Sequence, residues 1–224
     1  MNKAEEDYVK MIYEMAVISD QSFIRTAELA EQFGYSVQSV TEMVNKLHQK
    51  ELVEFKPYKG VRLTDSGRRE ALRMIRAHRL WEVFLSERLG LEWSALHDEA
   101  EMLEHATSET VLERLYDYLG RPAVCNHGNP IPDADGNVAR PASRSLYETH
   151  VGDCFKILRV QDYKPLLAYL SQRNIKLHDQ LIVINKDHFG GILTIEHQGS
   201  SHAFAKHIAQ MVYGEVTSKD SEIK

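Results

Sequence analysis

Four residues between positions 97 and 105 combine metal-binding chemistry with helical spacing. They are His97, Glu101, Glu104 and His105. Positions i, i+4, i+7 and i+8 lie on one face of an α-helix, so the spacing predicts that the four side chains converge. Converging carboxylate and imidazole groups repel each other or are poorly solvated unless a cation satisfies them. The pattern predicts a divalent-metal site, and a solvated acidic helix face is the alternative that remains open.

A second pair of residues repeats this spacing further upstream. His78 and Glu82 stand at i and i+4 in a segment whose apolar stripe predicts another helix. That helix would run antiparallel beside the first, which would bring the pair towards the same region. An ordinary surface pair is again the open alternative.

Residues 26–50 have the pattern of a helix-turn-helix. Thr26 is an expected N-cap of the first helix, and Gly34 follows its end. Ser36 then caps a second helix that begins with small polar residues. Two short helices joined by a glycine-containing turn are typical of DNA-binding proteins, although winged helical folds also serve as protein-interaction modules.

The second of these helices is the predicted recognition helix. In the major groove such a helix presents its N-terminal side chains to base edges. The predicted base contacts are Ser36, Gln38, Ser39 and Glu42. The predicted phosphate contacts are Lys46, Lys50, Lys56, Lys59 and Arg62. The helix has no arginine, so base discrimination would rest on apolar contacts and DNA shape.

The elements that position these residues follow from hydrophobic periodicity and turn signals. Helices are predicted at 4–18, 66–88 and 94–119, and a two-stranded wing is predicted within 52–64. Residues 121–149 read as a linker or extended loop. Strands follow at 155–160, 181–185 and 191–196, with one helix at 164–172. The predicted fold is mainly α with a small β-barrel-like module.

Composition sets broader limits. The formal net charge is −6, but residues 1–76 hold 12 basic and 12 acidic residues, so the deficit lies in the remainder. A neutral DNA-binding half joined to an acidic half suits a protein activated by cations. Two cysteines without paired spacing, no secretory signal and no membrane span predict a cytoplasmic protein.

Several strings, in order and spacing, resemble the diphtheria-toxin-repressor family of metal-dependent transcriptional repressors. Residues 78–82 (HRLWE) and 97–105 (HDEAEMLEH) are similar to its metal-binding signature. Residues 5–13 (EEDYVKMIY) resemble its N-terminal helix, and residues 128–132 (GNPIP) resemble its loop after the helices. The resemblance is in register over the first 132 residues and looser beyond them.

The resemblance implies two metal sites in each subunit. The primary site would consist of Asp7, Glu101, Glu104 and His105. The second site would consist of His78, Glu82, His97 and a C-terminal ligand, Asp162, with Gln161 as its alternative. Asp162 could equally be a turn residue at the end of a strand. Cys125 is expected to be a structural thiol, and His127 a surface or turn residue.

The resemblance also implies the domain organisation. Residues 1–65 would form a winged helix-turn-helix DNA-binding domain, and residues 66–140 a helical dimerisation and metal-binding domain. Residues 141–224 would comprise the linker and an SH3-like, or FeoA-like, β domain. The last domain would supply Asp162, or would act as an independent peptide-binding or dimer-stabilising unit.

Departures from the iron-sensing branch of the family indicate the metal. That branch has a methionine where Asp7 stands and a cysteine where Glu101 stands. Hard carboxylates in place of sulfur favour Mn²⁺, with Fe²⁺ and Zn²⁺ as alternatives, because raw affinity ranks Zn²⁺ above Mn²⁺. Lys10 replaces a carboxylate found in some two-domain manganese regulators, so their binuclear arrangement is not expected.

The predicted function is a Mn(II)-dependent repressor of metal-uptake genes that binds palindromic operators as a homodimer. A metal that bridges Asp7 to the dimerisation helix would set the spacing of the two recognition helices. Three alternatives remain: an Fe(II)-dependent repressor, a repressor with structural cations and an organic effector, and a metallohydrolase that uses the His/Glu cluster. The helix-turn-helix favours a repressor and not an enzyme.

Overall fold

The N-terminal segment folds around one apolar core. The structure is a computed structural model that describes residues 1–19, 21–93, 95–187 and 189–217. Its first three helices are α1 (Lys3–Ser19), α2 (Thr26–Phe33) and α3 (Val37–Gln49). The apolar faces of α1 and α3 meet in a core whose buried members include Val9, Ile12, Val40, Val44 and Leu47. The core therefore fixes α3 against α1.

The helix-turn-helix predicted from the sequence is confirmed, with local caps at its turn. Gly34 adopts a left-handed conformation (φ 68°) that ends α2. The hydroxyl of Ser36 accepts a hydrogen bond from the Ser39 backbone N–H at 3.1 Å, which caps α3. The N-cap of α2 is Arg25, one residue before the expected Thr26.

A wing follows α3. Strands β1 (Val53–Lys56) and β2 (Gly60–Leu63) form an antiparallel hairpin, and Val61 also bridges to Ile24. Gly60 is required where the hairpin meets Ile24, since a Cβ there would lie 2.2 Å from the Ile24 carbonyl oxygen. The wing is therefore packed against the segment that leads into α2.

Three more helices follow, and the first two of them carry five of the eight predicted metal ligands. They are α4 (Asp65–Glu87), α5 (Leu96–Glu104) and α6 (Glu109–Tyr118). The sequence predicted α5 and α6 as one helix over 94–119, which is wrong at residues 105–108. There the Thr107 hydroxyl donates to the Leu103 carbonyl, and Ser108 Oγ accepts from the Val111 N–H at 3.4 Å. Such side-chain bonds compete with a continuous helical ladder.

The C-terminal segment forms a β module, as predicted. Its strands are β3 (Cys154–Val160), β4 (Gln180–Asp187), β5 (Ile192–His197), β6 (Ser200–Ala205) and β7 (Val212–Thr217). They make one antiparallel sheet in the order β6-β5-β4-β3-β7. Helix α7 (Lys164–Ser171) follows β3, and the short α8 (Lys206–Ala209) precedes β7. Buried Phe155 and Phe204 are the largest side chains of the module's core.

The chain divides into two compact units. The first comprises residues 1–78, 102–113 and 132–137, and the second comprises residues 79–101, 114–131 and the chain from 138 onward. Helix α4 contributes to both units, because its residues up to His78 belong to the first unit and those from Arg79 onward belong to the second. Within the described residues, no helix combines the length and apolar character needed to cross a membrane.

Candidate metal centres and DNA-facing surface

The first unit brings together one cluster of metal-ligand side chains, which we call the first cluster. It consists of Asp7 from α1, Glu104 from the end of α5, and His105 directly after α5. His105 Nε2 lies 3.0 Å from Asp7 Oδ1 and 3.7 Å from Glu104 Oε1. Three of the four residues predicted for the primary site therefore converge.

The orientation of His105 suits a metal ligand. Its Nδ1 lies 2.7 Å from Glu6 Oε2, and Glu6 Oε1 lies 3.4 Å from Arg73 Nη2. A carboxylate on one imidazole nitrogen fixes the ring and leaves the other nitrogen for coordination, an arrangement common around protein metals. Glu6 therefore positions Nε2 of His105 towards Asp7.

Lys10 compensates the charge of Glu104 in this unit. Lys10 Nζ donates to both carboxylate oxygens of Glu104 at 2.8 Å, and it lies 3.3 Å from His78 Nδ1. The Glu104 side chain is fully buried. Burial alone would raise the pKa of Glu104, but the hydrogen bond with His78 and the charge of Lys10 together lower it. Glu104 therefore stays ionised inside the fold.

His78 and Glu101 are predicted ligands that lie outside the first cluster. His78 belongs to the first unit, where its Nδ1 is 2.5 Å from Glu104 Oε2. Glu101 belongs to the second unit, where its Oε2 is 3.4 Å from His97 Nε2 on the same helix. The i, i+4 spacing of His97 and Glu101 thus produces the expected contact between those two residues.

The second unit contains a group that the sequence analysis did not predict, which we call the second cluster. It consists of Glu82, Cys125 and His127, all three buried, with ligand atoms within 4.8 Å of one another. His127 Nδ1 lies 3.1 Å from Glu82 Oε1 and 3.8 Å from Asp162 Oδ1. His127 lies in a turn, one of the two expected alternatives, but it is buried and not on the surface.

Asp162 and His97 extend this cluster towards solvent. Asp162 Oδ2 lies 3.4 Å from His97 Nδ1, and the two side chains are 25% and 31% exposed. Asp162 lies two residues after the end of β3, and the backbone N–H of Gln161 between them donates to the Met211 carbonyl. Of the two residues weighed as C-terminal ligands, Asp162 is the one beside the other donors.

A tight loop aims Cys125 and His127 at Glu82. Gly128 N–H bonds the Cys125 carbonyl at 2.8 Å, and the His127 N–H donates to Cys125 Sγ at 3.4 Å. The His127 carbonyl accepts from the Val160 N–H at 2.9 Å, which joins the loop to the end of β3. The Trp93 ring stacks on His127 at 5.4 Å between centroids.

The donor set of the second cluster fits a divalent cation. Burial, followed by the charge of Glu82, raises the pKa of Cys125 well above its ordinary value. Burial of the ionised Glu82 carboxylate is costly unless positive charge or hydrogen bonds compensate it. A bound cation supplies that charge and reverses the effect of burial on Cys125, because a coordinated thiol is deprotonated. The side chains of the second cluster therefore suit a divalent cation.

The residues predicted to read bases lie on the exposed side of α3. Ser36 and Ser39 share a hydroxyl–hydroxyl hydrogen bond at 2.9 Å, and Gln38 Nε2 donates to Glu42 Oε1 at 3.1 Å. All four side chains are exposed and polar. Their placement is consistent with the predicted contacts to base edges.

The basic residues of the same region have intramolecular partners. On the wing, Arg62 is ion-paired with Glu54, and Lys59 Nζ lies 4.5 Å from the centroid of the Phe23 ring. Lys46 of α3 and its C-cap residue Lys50 both contact Glu5 of α1. Hydrogen bonds from Lys50 and then Lys46 hold the pKa of Glu5 at about 2.

Models of three protein families match successive stretches of the chain. The iron-dependent repressor N-terminal DNA-binding domain matches residues 1–61, and the iron-dependent repressor metal-binding and dimerisation domain matches residues 64–133. The FeoA domain matches residues 144–216.

Individual proteins show the same similarity. An uncharacterized HTH-type transcriptional regulator of Methanocaldococcus jannaschii is 38% identical over 115 residues, which cover 51% of this chain and 91% of that regulator. The iron-dependent repressor IdeR of Mycobacterium tuberculosis is 33% identical over 127 residues, covering 57% of this chain and 54% of IdeR. A solved structure described as a manganese-dependent transcriptional repressor in complex with manganese has a TM-score of 0.83 at 36% identity, covering 95% of this chain and 100% of the other.

Proposed function

The chain belongs to the iron-dependent repressor family, which includes the diphtheria toxin repressor, and we propose that it is a Mn(II)-dependent member that represses metal-uptake genes. As a member, it is a metal-dependent DNA-binding transcriptional repressor and not an enzyme, which sets aside the metallohydrolase alternative. We further propose that it acts in the cytoplasm as a homodimer that binds palindromic operators.

The observation that carries the proposal is the convergence of Asp7 with Glu104 and His105. Two of these three donors are hard carboxylates, and oxygen-rich sites suit Mn²⁺ better than sulfur-containing ones do. A similar solved structure is described as a complex with manganese, which supports the same assignment.

We infer a second metal site at the second cluster, with Asp162 and His97 as further donors. This site contains the thiol of Cys125, whereas the ligands predicted from the sequence were all carboxylates and imidazoles. A thiol also suits Fe²⁺ and Zn²⁺. The preference for Mn²⁺ therefore rests on the first cluster, while Glu82 and Asp162 keep the second cluster rich in oxygen. Glu101 and His78 remain ligands proposed from the resemblance.

The first cluster can connect metal binding to the DNA-binding domain. A divalent cation bound there would neutralise the carboxylates and hold Asp7 against His105. Asp7 lies on α1, whose apolar face packs with α3 in one core. Fixing Asp7 therefore fixes the recognition helix relative to residues 104 and 105. In a homodimer this would favour the spacing at which both recognition helices reach successive major grooves.

The proposed DNA contacts are those of the sequence analysis. Base edges would be read from α3, and the wing would supply phosphate contacts. They are Ser36, Gln38, Ser39, Glu42, Lys56, Lys59 and Arg62. Lys46 and Lys50 were predicted with them, but the ammonium groups of both are bound to Glu5.

A panel of metals tests the proposal. Duplexes enriched from a random library with the Mn²⁺-loaded protein would serve as operators, and affinity would be measured while Mn²⁺, anaerobic Fe²⁺ or Zn²⁺ is titrated. We expect Mn²⁺ to raise operator affinity about tenfold or more, within the usual range of coupling between sites. Activation by Fe²⁺ alone would establish the iron-dependent alternative. Affinity that ignores all three metals would reject metal sensing and favour an organic effector.

A further inference from the structure

Glu5 is a buried carboxylate that contacts Lys46 of the recognition helix and Lys50, the residue that caps the end of this helix. Lys46 Nζ lies 2.9 Å from Glu5 Oε1, and Lys50 Nζ lies 2.8 Å from both oxygens. The Glu5 side chain is 1% exposed, whereas the lysine side chains are 47% and 45% exposed. One internal anion therefore binds two ammonium groups at the protein surface.

The two lysines share a stripe with residues predicted to face DNA. Ser39, Glu42 and Lys46 of α3 and Lys50, its C-cap, follow one another at intervals of three or four residues. Residues at such intervals occupy one side of a helix. A duplex bound along this side would bring backbone phosphates near both lysines. Their ammonium groups, however, already have an anionic partner.

Glu5 is not needed to hold α3 in place. Val40, Val44 and Leu47 of α3 are fully buried in the core shared with α1. This apolar packing fixes the helix, so the effect of the ion pairs falls on the two lysines themselves. The charge of the three side chains together is +1, instead of +2 for the two lysines alone.

We propose that Glu5 withholds Lys46 and Lys50 from backbone phosphates and so weakens sequence-independent DNA binding. This inference rests on the proposed DNA-binding function. Phosphate contacts supply nearly all non-specific affinity, so two fewer of them lower the affinity for random DNA. The phosphates of the duplex and the Glu5 carboxylate would compete for the two ammonium groups, and Glu5 keeps them bound.

Salt dependence provides the test, because each phosphate neutralised steepens the fall of affinity with salt by about 0.9 in a plot of log affinity against log salt. Binding to a random-sequence duplex would be measured from about 50 to about 200 mM KCl. For Glu5→Gln we expect a slope steeper by about 1.8, which is about a tenfold larger loss across that range. The random duplex should also bind more tightly at the lower salt.

Three further variants make the test specific. Glu31→Gln removes the same charge from an exposed position on α2 and should leave the slope unchanged. Lys46→Gln with Lys50→Gln should leave the wild-type slope nearly unchanged, and in the Glu5→Gln background should return it to the wild-type value. Circular dichroism would confirm that each variant is folded.

Two results would overturn the inference. The first is a Glu5→Gln slope equal to that of the wild type, or equal to that of Glu31→Gln. The second is a slope that is shallower by about 1.8 in the double lysine variant that keeps Glu5. Such a slope would mean that the lysines of the wild type already contact phosphates. Because the probe is random DNA without added metal, neither result depends on whether Mn²⁺ is the activating ion.

Discussion

At the scale of single residues, the thiol of Cys125 decides what the second cluster can bind. Burial keeps this thiol protonated, because its pKa is raised well above the ordinary value. A cation that coordinates the sulfur must displace the proton, so metal binding at this cluster would release it. Cys125 thus changes from a neutral buried group to a charged ligand only when positive charge is supplied.

Replacing this thiol should weaken one metal site and spare the rest of the fold. For Cys125→Ser we expect Mn²⁺ affinity at one site to fall at least about tenfold, a loss that even outer-shell substitutions around metals can cause. Isothermal titration calorimetry with Mn²⁺ would measure it. Cys154→Ser is the matched control, because Cys154 is also a buried free thiol but lies outside both clusters. Equal Mn²⁺ affinity in both variants would argue against a metal at Cys125.

At the scale of elements, the loop 125–128 depends on one glycine. Gly128 has φ 75°, and a Cβ on it would lie 2.0 Å from the Leu158 carbonyl oxygen of β3. The loop can therefore approach β3 closely only without a side chain at this position. That approach places His127 beside Glu82 and Asp162.

Gly128→Ala should destabilise the protein by more than the left-handed backbone conformation alone would cost, because the added Cβ also collides with the Leu158 carbonyl oxygen. Gly120→Ala is the control, since Gly120 has φ 78° but open space around a Cβ. Both variants should lose about 1–2 kcal/mol of unfolding free energy from the left-handed conformation. Gly128→Ala should lose at least about 1 kcal/mol more from overpacking, and it should also bind Mn²⁺ more weakly. Urea denaturation and calorimetry measure the two effects, and equal losses in the variants would contradict this account.

The elements that the sequence predicted are those with a strong apolar period. Helices α1 and α4 and strands β3 to β5 follow from such patterns. Strand β6 was missed because Ser200–Ala205 has few large apolar residues, and β7 because Gly214 interrupts it. The break between α5 and α6 was missed because the apolar period continues across Thr107 and Ser108, whose hydroxyls form local hydrogen bonds instead.

The candidate sites show the same division between helix and loop. Helical spacing predicted Glu104, His105, Glu82 and His97 as ligands, because residues at these intervals in the sequence share one face of a helix. Cys125 and His127 lie in a loop, where spacing carries no comparable information. Their pairing with Glu82 depends on contacts with β3, more than 30 residues further along the chain. The local signal in the sequence was Cys125 two residues before His127, with Gly-Asn-Pro directly after the histidine.

At the scale of the whole molecule, charge and metal chemistry are distributed together. The first 76 residues are neutral overall and contain the DNA-facing elements, whereas the remainder carries the net charge of −6. The second cluster lies entirely within that acidic remainder. The first cluster joins residue 7 to residues 104 and 105, so it links the neutral segment to the acidic one. The central claim is that a metal at this link controls DNA binding.

Mn²⁺ titration of operator affinity in an Asp7→Ala variant tests this claim most directly. Asp135→Ala is the control, because Asp135 is an exposed carboxylate outside both clusters. The account predicts that wild type and Asp135→Ala gain operator affinity with Mn²⁺, while Asp7→Ala remains at the metal-free affinity. An Asp7→Ala protein that gains as much affinity from Mn²⁺ as the wild type would contradict the account.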